Sequence, residues 1–148
     1  MLVARVLITG MSGTGKSTLL AELHQRGHLT VDTDYDNWVL PSGVWDPVRM
    51  ASLLERQSHV IVSGTVENQI DFYDQFDHIV LLSAPWERLL ERVTSRSNNP
   101  YGRTQPQQDE IRFYLNTVEP LLRRRATFEL DGTNPVNELA DAVESLTV

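Results

Sequence analysis

The sequence predicts a doubly wound α/β protein, and three observations support this prediction. The chain has 148 residues, 41% of them apolar, so a single domain over residues 1–148 can bury a core. Short apolar runs alternate with longer segments of helical periodicity along the chain. Three of these runs are nearly continuous Val, Ile and Leu, which is typical of parallel strands covered on both faces.

The predicted strands and helices alternate in order. Five strands are predicted at residues 3–9, 29–32, 60–63, 78–83 and 127–131. Helices are predicted at residues 16–26, 46–56, 86–95 and 110–124. A last helix follows Asn134 and Pro135, which we interpret as a cap residue and a proline at the first helical position. The polar stretch 97–108 is predicted as a loop between two helices.

The charge balance is acidic, with 20 Asp and Glu against 13 Lys and Arg and a formal charge of −7. This balance argues against a protein that coats nucleic acid or docks on anionic lipid, so we expect small-molecule or protein partners. The chain has no cysteine, which excludes disulfides and cysteine-bound zinc. No apolar run is long enough to span a membrane and the first residues lack a signal-peptide pattern, so we expect a cytoplasmic protein. We further expect a monomer or a weak dimer.

Residues 10–18, Gly-Met-Ser-Gly-Thr-Gly-Lys-Ser-Thr, match the pattern G-x-x-x-x-G-K-[ST] between a predicted strand and a predicted helix. Glycines let such a backbone wrap around phosphate oxygens, and the helix N-terminus adds partial positive charge. Lys16, the only lysine of the chain, would contact the terminal phosphates, and Ser17 would bind Mg²⁺. The residues predicted to bind a nucleotide are Gly10, Ser12, Gly13, Thr14, Gly15, Lys16, Ser17 and Thr18.

Carboxylates follow the second predicted strand, at the edge where a parallel sheet would also carry the glycine loop. Asp32 and Asp34 are two residues apart, so an extended strand would point them in the same direction. Beside bound phosphates, two carboxylates cost free energy unless Mg²⁺ or a substrate proton intervenes. We therefore expect these groups to bind the metal or to accept the proton of an attacking hydroxyl. For Asp36 we prefer a solvated turn.

Arginines form a second cluster. Arg88 can pair with Glu91, but neither Arg92 nor Arg96 has a carboxylate three or four residues away, and Arg103 follows in the polar loop. We interpret the last three arginines as a set that binds an anion, either by forking onto phosphates or by stacking on an adenine ring. The alternative is a solvated arginine face.

Two absences narrow the class of nucleotide-binding protein. The strand at 60–63 is not followed by an aspartate, so the usual acidic end of a Walker B strand is missing there. A chain with one lysine, located in the glycine loop, also has no Asn-Lys-x-Asp motif for guanine. Both absences argue against motor ATPases and GTPases. Trp38 and Trp45 follow the acidic turn and are either core residues or the wall of a substrate pocket.

In their order along the chain, these features resemble the shikimate kinase and adenylate kinase group of P-loop small-molecule kinases. The resemblance rests on the glycine loop, Asp32-Thr33-Asp34, Gly64 after the third strand, the arginine-bearing segment, and residues 131–135 before the last helix. It implies a three-layer P-loop NTPase fold with a five-stranded parallel sheet in the order 2-3-1-4-5. It also implies a short lid at about residues 96–108 that closes over ATP.

The resemblance implies roles for individual residues as well. Asp32 would help to hold Mg²⁺, and Asp34 would bind the acceptor hydroxyl. Gly64 would offer its backbone to the acceptor. Asn134 and Pro135 would border the adenine.

Two questions about the arginines stay open in this resemblance. An arginine of the second helix would hold a substrate carboxylate, and Arg49 and Arg56 are both candidates, although neither sits at the family spacing. The seven-residue step from Arg96 to Arg103 matches the adenine-stacking and lid arginines of shikimate kinases. The four-residue step from Arg92 to Arg96 is similar to adenylate kinases, and the two alignments assign the adenine to different residues.

The sequence therefore predicts an ATP- and Mg²⁺-dependent phosphotransferase that moves the γ-phosphate to a hydroxyl or phosphate of a small molecule. Lys16, Asp34, Arg96 and Arg103 are the predicted catalytic residues. The alternatives are a nucleoside or nucleoside monophosphate kinase and a non-catalytic ATP-binding regulatory module. Ser63-Gly64-Thr65 replaces the three glycines of shikimate kinases, so the resemblance leaves the acceptor open.

Overall fold

Five parallel strands form the central sheet of the computed structural model, which describes residues 3–97 and 99–147. The strands lie in the order β2-β3-β1-β4-β5, as predicted, and each neighbouring pair is parallel. Three of them begin one or two residues later than predicted. Met1, Leu2, Asn98 and Val148, which the predicted domain or lid includes, lie outside the described residues. The strands are β1 (Arg5–Thr9), β2 (Thr30–Asp32), β3 (Val60–Ser63), β4 (His78–Ser83) and β5 (Phe128–Asp131).

Helices connect the strands and cover both faces of the sheet. α2 begins close to its predicted start because the Asp46 carboxylate accepts the N–H groups of Val48 and Arg49, and Pro47 occupies the first helical position. Within the described residues, no helix is long and apolar enough to cross a membrane. The α-helices are α1 (Lys16–Gln25), α2 (Pro47–Arg56), α3 (Trp86–Ser95), α4 (Gln105–Thr117), α5 (Glu119–Arg125) and α6 (Val136–Leu146).

The prediction of one helix at residues 110–124 is wrong, because the structure has α4 and α5 there. α4 begins at Gln105, where the Thr104 side chain caps it, so the end of the predicted polar loop is helical. The helix is interrupted ahead of Pro120, whose ring clashes with the preceding turn and which has no N–H to donate. α5 then carries this proline in its first turn, where proline is tolerated.

Two smaller differences concern the predicted helices. A 3-10 helix, Glu67–Gln75, follows β3 and was not predicted, because its apolar residues lack a regular α-helical spacing. α6 begins at Val136, and Pro135 has an extended ψ of 143°, so the proline and not Asn134 occupies the cap position. The predicted boundary is therefore displaced by one residue.

The sheet is buried on both faces, which explains why its strands are so apolar. On one face, Ile8 packs with Leu19 of α1 and Leu139 of α6. On the other, Leu7 packs with Leu54 of α2 and with the 3-10 helix. All functional elements described below lie where the strands end, which we call the carboxyl edge. The opposite edge, where the strands begin, is the amino edge.

Candidate nucleotide and acceptor site

The glycine loop between β1 and α1 wraps tightly around the end of the sheet. A Cβ on Gly10 would lie 2.2 Å from the carbonyl oxygen of Leu82, and Gly13 has a φ of 92° that favours glycine. No side chain of the described residues caps α1, and its first turn has no acidic residue. The N–H groups at this helix N-terminus are therefore available to an anion.

Lys16 is held inside this loop. Its Nζ donates hydrogen bonds to the carbonyl oxygens of Gly10 at 2.6 Å and Met11 at 3.1 Å. Burial lowers the pKa of Lys16 to about 8, and the charges of Asp34 and Asp32 oppose this shift. At neutral pH the side chain is therefore an ammonium group bonded to neutral carbonyl oxygens, which an anionic ligand would attract strongly.

The two predicted carboxylates lie together at the end of β2. The Ser17 hydroxyl donates to Asp32 Oδ2 at 2.7 Å, and the backbone N–H of Asp34 donates to Asp32 Oδ1 at 3.1 Å. Burial raises the pKa of the Asp34 carboxyl and the charge of Asp32 adds to the rise, while Lys16 and Arg96 oppose it. The carboxyl group of Asp34 is therefore a better proton acceptor than a solvated aspartate.

The hydroxyl of Ser17 and the carboxylate of Asp32 suit a magnesium ion. Both are oxygen ligands, and Mg²⁺ in nucleotide sites commonly takes one or two protein ligands with the rest from phosphates and water. In the part of the chain that the structure describes, no group of three or more His, Cys, Asp and Glu could hold a metal by itself. The donor set therefore fits a cation that arrives with a nucleotide.

Arg92 is bonded to the backbone of the glycine loop, which differs from a side chain that is free to fork onto an anion and leaves the predicted stacking on adenine untested. Its Nη1 donates to the carbonyl oxygens of Gly13 at 3.2 Å and Thr14 at 3.1 Å, and its Nη2 donates to that of Gly132 at 2.7 Å. These bonds join the glycine loop to the loop after β5. Because these hydrogen bonds lie in the guanidinium plane, they fix the orientation of the group without occupying its two faces.

Arg96 contacts the glycine loop at Ser12. Its Nη2 donates to the Ser12 hydroxyl at 3.3 Å and to the carbonyl oxygen of Tyr101 at 2.6 Å. Its charge acts on the pKa of both Lys16 and Asp34, so the three groups are close to one another. Arg103 donates to the carbonyl oxygen of Arg96 and lies outside the lining of the cavity described next.

A cavity of about 1100 Å³ brings most of these groups together at the carboxyl edge, although Asp32 is outside its lining. Residues 10–18 line it, together with Asp34, Arg92, Arg96 and Asn134 from the predicted set. Its size is that of a pocket for a drug-sized ligand or larger. Several predicted residues thus meet in one space, although they come from distant parts of the sequence.

Gly64 and Pro135 do not belong to the lining. Gly64 is buried and its N–H donates to the carbonyl oxygen of Ile8 at 3.1 Å, so this N–H is not available to an acceptor. A Cβ at this position would lie 2.2 Å from Thr33 Oγ1, which explains the glycine by close packing. The predicted backbone contact of Gly64 with an acceptor is therefore wrong for its N–H group.

Arg49 and the two tryptophans also lie outside the cavity lining. The Arg49 guanidinium lies 3.9 Å from the ring centre of Trp38 and donates to the carbonyl oxygen of Asp36. Trp45 is fully buried, with 0% exposure, and packs edge-on against Phe72. Trp45 is therefore a core residue, and the predicted role of Arg49 in binding substrate has no support from its position.

Sequence analysis missed Thr65 and the aromatic wall of the cavity. The Thr65 hydroxyl accepts the N–H of Gly10 at 3.1 Å and donates to its carbonyl oxygen at 2.7 Å, which fixes the start of the glycine loop. Its place just after β3, at the carboxyl edge, was the available signal. Tyr101 and Tyr114 line the cavity beside the apolar face of α4, which the sequence had shown only as a helix face.

Comparison with known proteins identifies the family and the fold of the chain. A family model described as AAA domain matches residues 6–114. A search of curated proteins found no match to the chain.

Solved structures similar to this chain include small-molecule kinases. A shikimate kinase from Acinetobacter baumannii in complex with shikimate is 22% identical, with a TM-score of 0.74 over 97% of this chain and 92% of that chain. A shikimate kinase from Bacteroides thetaiotaomicron is 13% identical, with a TM-score of 0.71 over 97% and 98%. A gluconokinase from Sinorhizobium meliloti is 18% identical, with a TM-score of 0.69 over 99% and 92%. At such low identity these likenesses establish the fold, and with the family match they show that the chain belongs to the AAA domain family of P-loop proteins and has the fold of shikimate kinases.

Proposed function

We propose that this protein is an ATP- and Mg²⁺-dependent phosphotransferase that moves the γ-phosphate to a hydroxyl of a small molecule. The observation that carries the proposal is the meeting of Lys16 and Asp34 in one cavity, beside the paired Ser17 and Asp32. Phosphoryl transfer needs charge neutralisation and a positioned proton acceptor more than any covalent chemistry by the protein. This set of groups supplies both.

The nucleotide would lie along the glycine loop with its adenine near Arg92 and its phosphates near Arg96. The hydrogen bond from Arg92 to Gly132 and the position of Asn134 in the lining support the adenine end. The proximity of Arg96 to Lys16 supports the phosphate end. This arrangement favours the four-residue step between the arginines, as in the adenylate kinase alignment.

The phosphates would be bound by the free N–H groups of the loop and by the Lys16 ammonium. Ser17 and Asp32 would hold Mg²⁺, which neutralises charge between the β- and γ-phosphates when bound. In the transfer, the acceptor oxygen bonds to the γ-phosphorus and the bond to the bridging oxygen of ADP breaks. Asp34 accepts the proton of the acceptor hydroxyl, and its raised pKa supports this role.

The segment at about residues 96–108 is proposed as the lid that excludes water during transfer. Arg96 already contacts Ser12 of the glycine loop from this segment. Arg103 would reach the phosphates only if the segment moved, because its guanidinium is bonded to the backbone of Arg96 outside the cavity. Its predicted catalytic role therefore stays a prediction about the nucleotide-bound state.

A hydroxyl acceptor is favoured over a monophosphate by the number of available cations. Among the described residues, the basic side chains that line the cavity are Lys16, Arg92 and Arg96. The first and last would serve the triphosphate, and Arg92 is bonded to backbone carbonyls. A nucleoside monophosphate would have no arginine of its own, which counts against this alternative.

Release of ADP from MgATP, measured with and without candidate hydroxyl compounds, tests the proposal. We expect stimulated release with at least one alcohol and its loss in Lys16→Ala and Asp32→Ala. Arg124→Ala, on the exposed side of α5, is the control that should retain turnover. Turnover close to that of the unmodified protein in Lys16→Ala, or tight MgATP binding without any phosphorylated product, would contradict it. The second result would favour the regulatory-module alternative.

A further inference from the structure

The cavity runs along the glycine loop, and its lining residues can be divided by the end of the loop that they adjoin. Gly13 and Thr14 face Arg92 and Gly132, which mark the nucleotide half. At the other end of the loop, Gly10 bonds to Thr65 and Met11 packs against Leu122 of α5. We call this second end the acceptor half, and its assignment rests on the proposed function.

The acceptor half is bounded by two walls. One wall carries Asp34, Tyr35 and Glu67, from the segments that follow β2 and β3. The other wall comes from the segment after α3 and from α4 and α5. The side chains of that second wall are Tyr101, Ile111, Tyr114, Val118 and Leu122.

The acceptor half is acidic. Its ionisable side chains in the described part of the chain, apart from the tyrosines, are Asp34 and Glu67. Lys16 and Arg96 adjoin these groups, and Arg96 also donates to the backbone of Tyr101 in the second wall. In the proposed complex the triphosphate would engage both cations. With both cations engaged by the triphosphate, a carboxylate or phosphate on the acceptor would lie next to two carboxylates without a cation of its own. Like charges held this close repel each other, which disfavours such an acceptor.

The second wall offers aromatic and aliphatic surface instead. Tyr114 is 45% exposed on α4 and Ile111 lies one turn before it on the same side. Tyr101 donates its hydroxyl to Glu110, outside the cavity, so its polar end is already satisfied and its ring remains for contact. Such a wall binds the ring or carbon chain of a ligand, and aromatic faces also attract cations.

We propose that the acceptor is an alcohol without negative charge, neutral or amine-bearing, whose apolar ring or chain lies against Tyr101 and Tyr114. Hydroxy acids and nucleoside monophosphates are excluded by the two carboxylates, Asp34 and Glu67. The reacting hydroxyl would lie at Asp34, between the walls, and the rest of the molecule would extend along α4.

Three ring alcohols that differ in one group test this class: para-hydroxymethyl benzamide, para-hydroxymethyl benzylamine and para-hydroxymethyl benzoate. Stimulated ADP release and calorimetric binding to the protein with MgADP are the two readouts. We expect the amide and the amine to bind at least about tenfold more tightly than the benzoate and to be the better acceptors. Binding of the benzoate that equals or exceeds that of the amide overturns the inference and leaves the phosphotransferase proposal standing. Failure of every alcohol to bind or to stimulate release overturns both.

A charge introduced into the second wall gives a sharper test. Tyr114→Arg places a cation in the acceptor half and should raise benzoate binding about tenfold. Phe113→Arg is the matched control, because Phe113 is 61% exposed on the same helix and does not line the cavity. Both variants keep a good helix former in α4, which circular dichroism would verify. An equal effect of the two variants on benzoate binding would overturn the inference.

Discussion

Charged groups are treated in opposite ways at the two edges of the sheet. At the amino edge, Arg26 bonds to Asp141 at 2.7 Å and to Glu144 at 2.6 Å. At the carboxyl edge, Lys16 bonds only to backbone carbonyl oxygens among its hydrogen-bond partners in the described residues, and Asp34 lines a cavity. At the amino edge opposite charges are paired directly. At the carboxyl edge the charges of Lys16 and Asp34 have no direct partner of this kind among the described residues, so a ligand could compensate them.

The directions of the pKa shifts express this difference. At the amino edge, hydrogen bonds from His28 and Arg26 lower the pKa of Glu144, so folding favours its charged form. At the carboxyl edge, burial lowers the pKa of Lys16 and raises that of Asp34, so the fold disfavours both charges. Perturbations of this second kind, concentrated in a cavity, are typical of functional sites. Burial also lowers the pKa of His59 at the amino edge, but of these three groups only Lys16 and Asp34 combine such a shift with a place in the cavity, which supports a functional site at the carboxyl edge.

At the amino edge, a continuous chain of hydrogen bonds runs from Ala4 through His59 and His28 to Glu144. The N–H of Ala4 donates to His59 Nδ1 at 3.1 Å, so the proton of a neutral His59 lies on Nε2. That nitrogen lies 2.8 Å from His28 Nδ1, and His28 Nε2 lies 2.7 Å from Glu144 Oε2. Among the described residues, each of these ring nitrogens therefore has one hydrogen-bond partner.

The largest expected effect is at the carboxyl edge. Asp34→Asn should lower the turnover about 10²- to 10⁴-fold, because the acceptor hydroxyl loses its proton acceptor. MgATP affinity should change little. Asp36→Asn is the matched control, since Asp36 lies in the same exposed turn and outside the cavity lining. Steady-state ADP release checks both variants, and an Asp34→Asn enzyme within about twofold of the unmodified protein would contradict the assigned role.

An intermediate effect is the pH dependence of nucleotide affinity. The free protein has a Lys16 pKa of about 8, and bound phosphates would raise it. The contribution of Lys16 to MgATP affinity should therefore be constant below pH 8. Above pH 8 the affinity should fall by up to about tenfold per pH unit. Calorimetry of MgATP from about pH 7 to 9 measures this slope. Lys16→Arg should flatten it, because arginine stays protonated, and an affinity that rises above pH 8 would contradict the account.

The smallest effect is on stability at the amino edge. Burial lowers the pKa of His59 below its ordinary value of 6.5, and His28 adds to this shift. The unfolded chain then binds a proton at higher pH than the folded one, so the stabilising contribution is complete above pH 6.5 and is lost as pH falls. Thermal midpoints at about pH 7 and 5.5 should differ by a few degrees more in the unmodified protein than in His59→Gln. The variant should bind MgATP normally at neutral pH, and a loss of that binding would break the separation of the two edges.

Local patterns in the sequence predicted the sheet, its strand order and the glycine loop because these depend on apolar runs and on a motif with fixed spacing. Pro120 was also a local signal for a helix break, but the apolar periodicity of residues 110–124 favoured one continuous helix. The bonds of Arg92 to Gly13 and Gly132, and the packing of Gly64 against Thr33, depend on segments that are far apart in the sequence. No pattern along the chain contains such distances, so these roles emerged only from the structure.

Calorimetric titration of MgATP into the unmodified protein and into Lys16→Ala tests the central claim most directly. The account predicts one nucleotide per chain for the unmodified protein and a loss of affinity of at least about tenfold in the variant, because the single lysine of the chain, which lines the cavity, has been removed. Equal affinities, or no heat of binding in the unmodified protein, would contradict it.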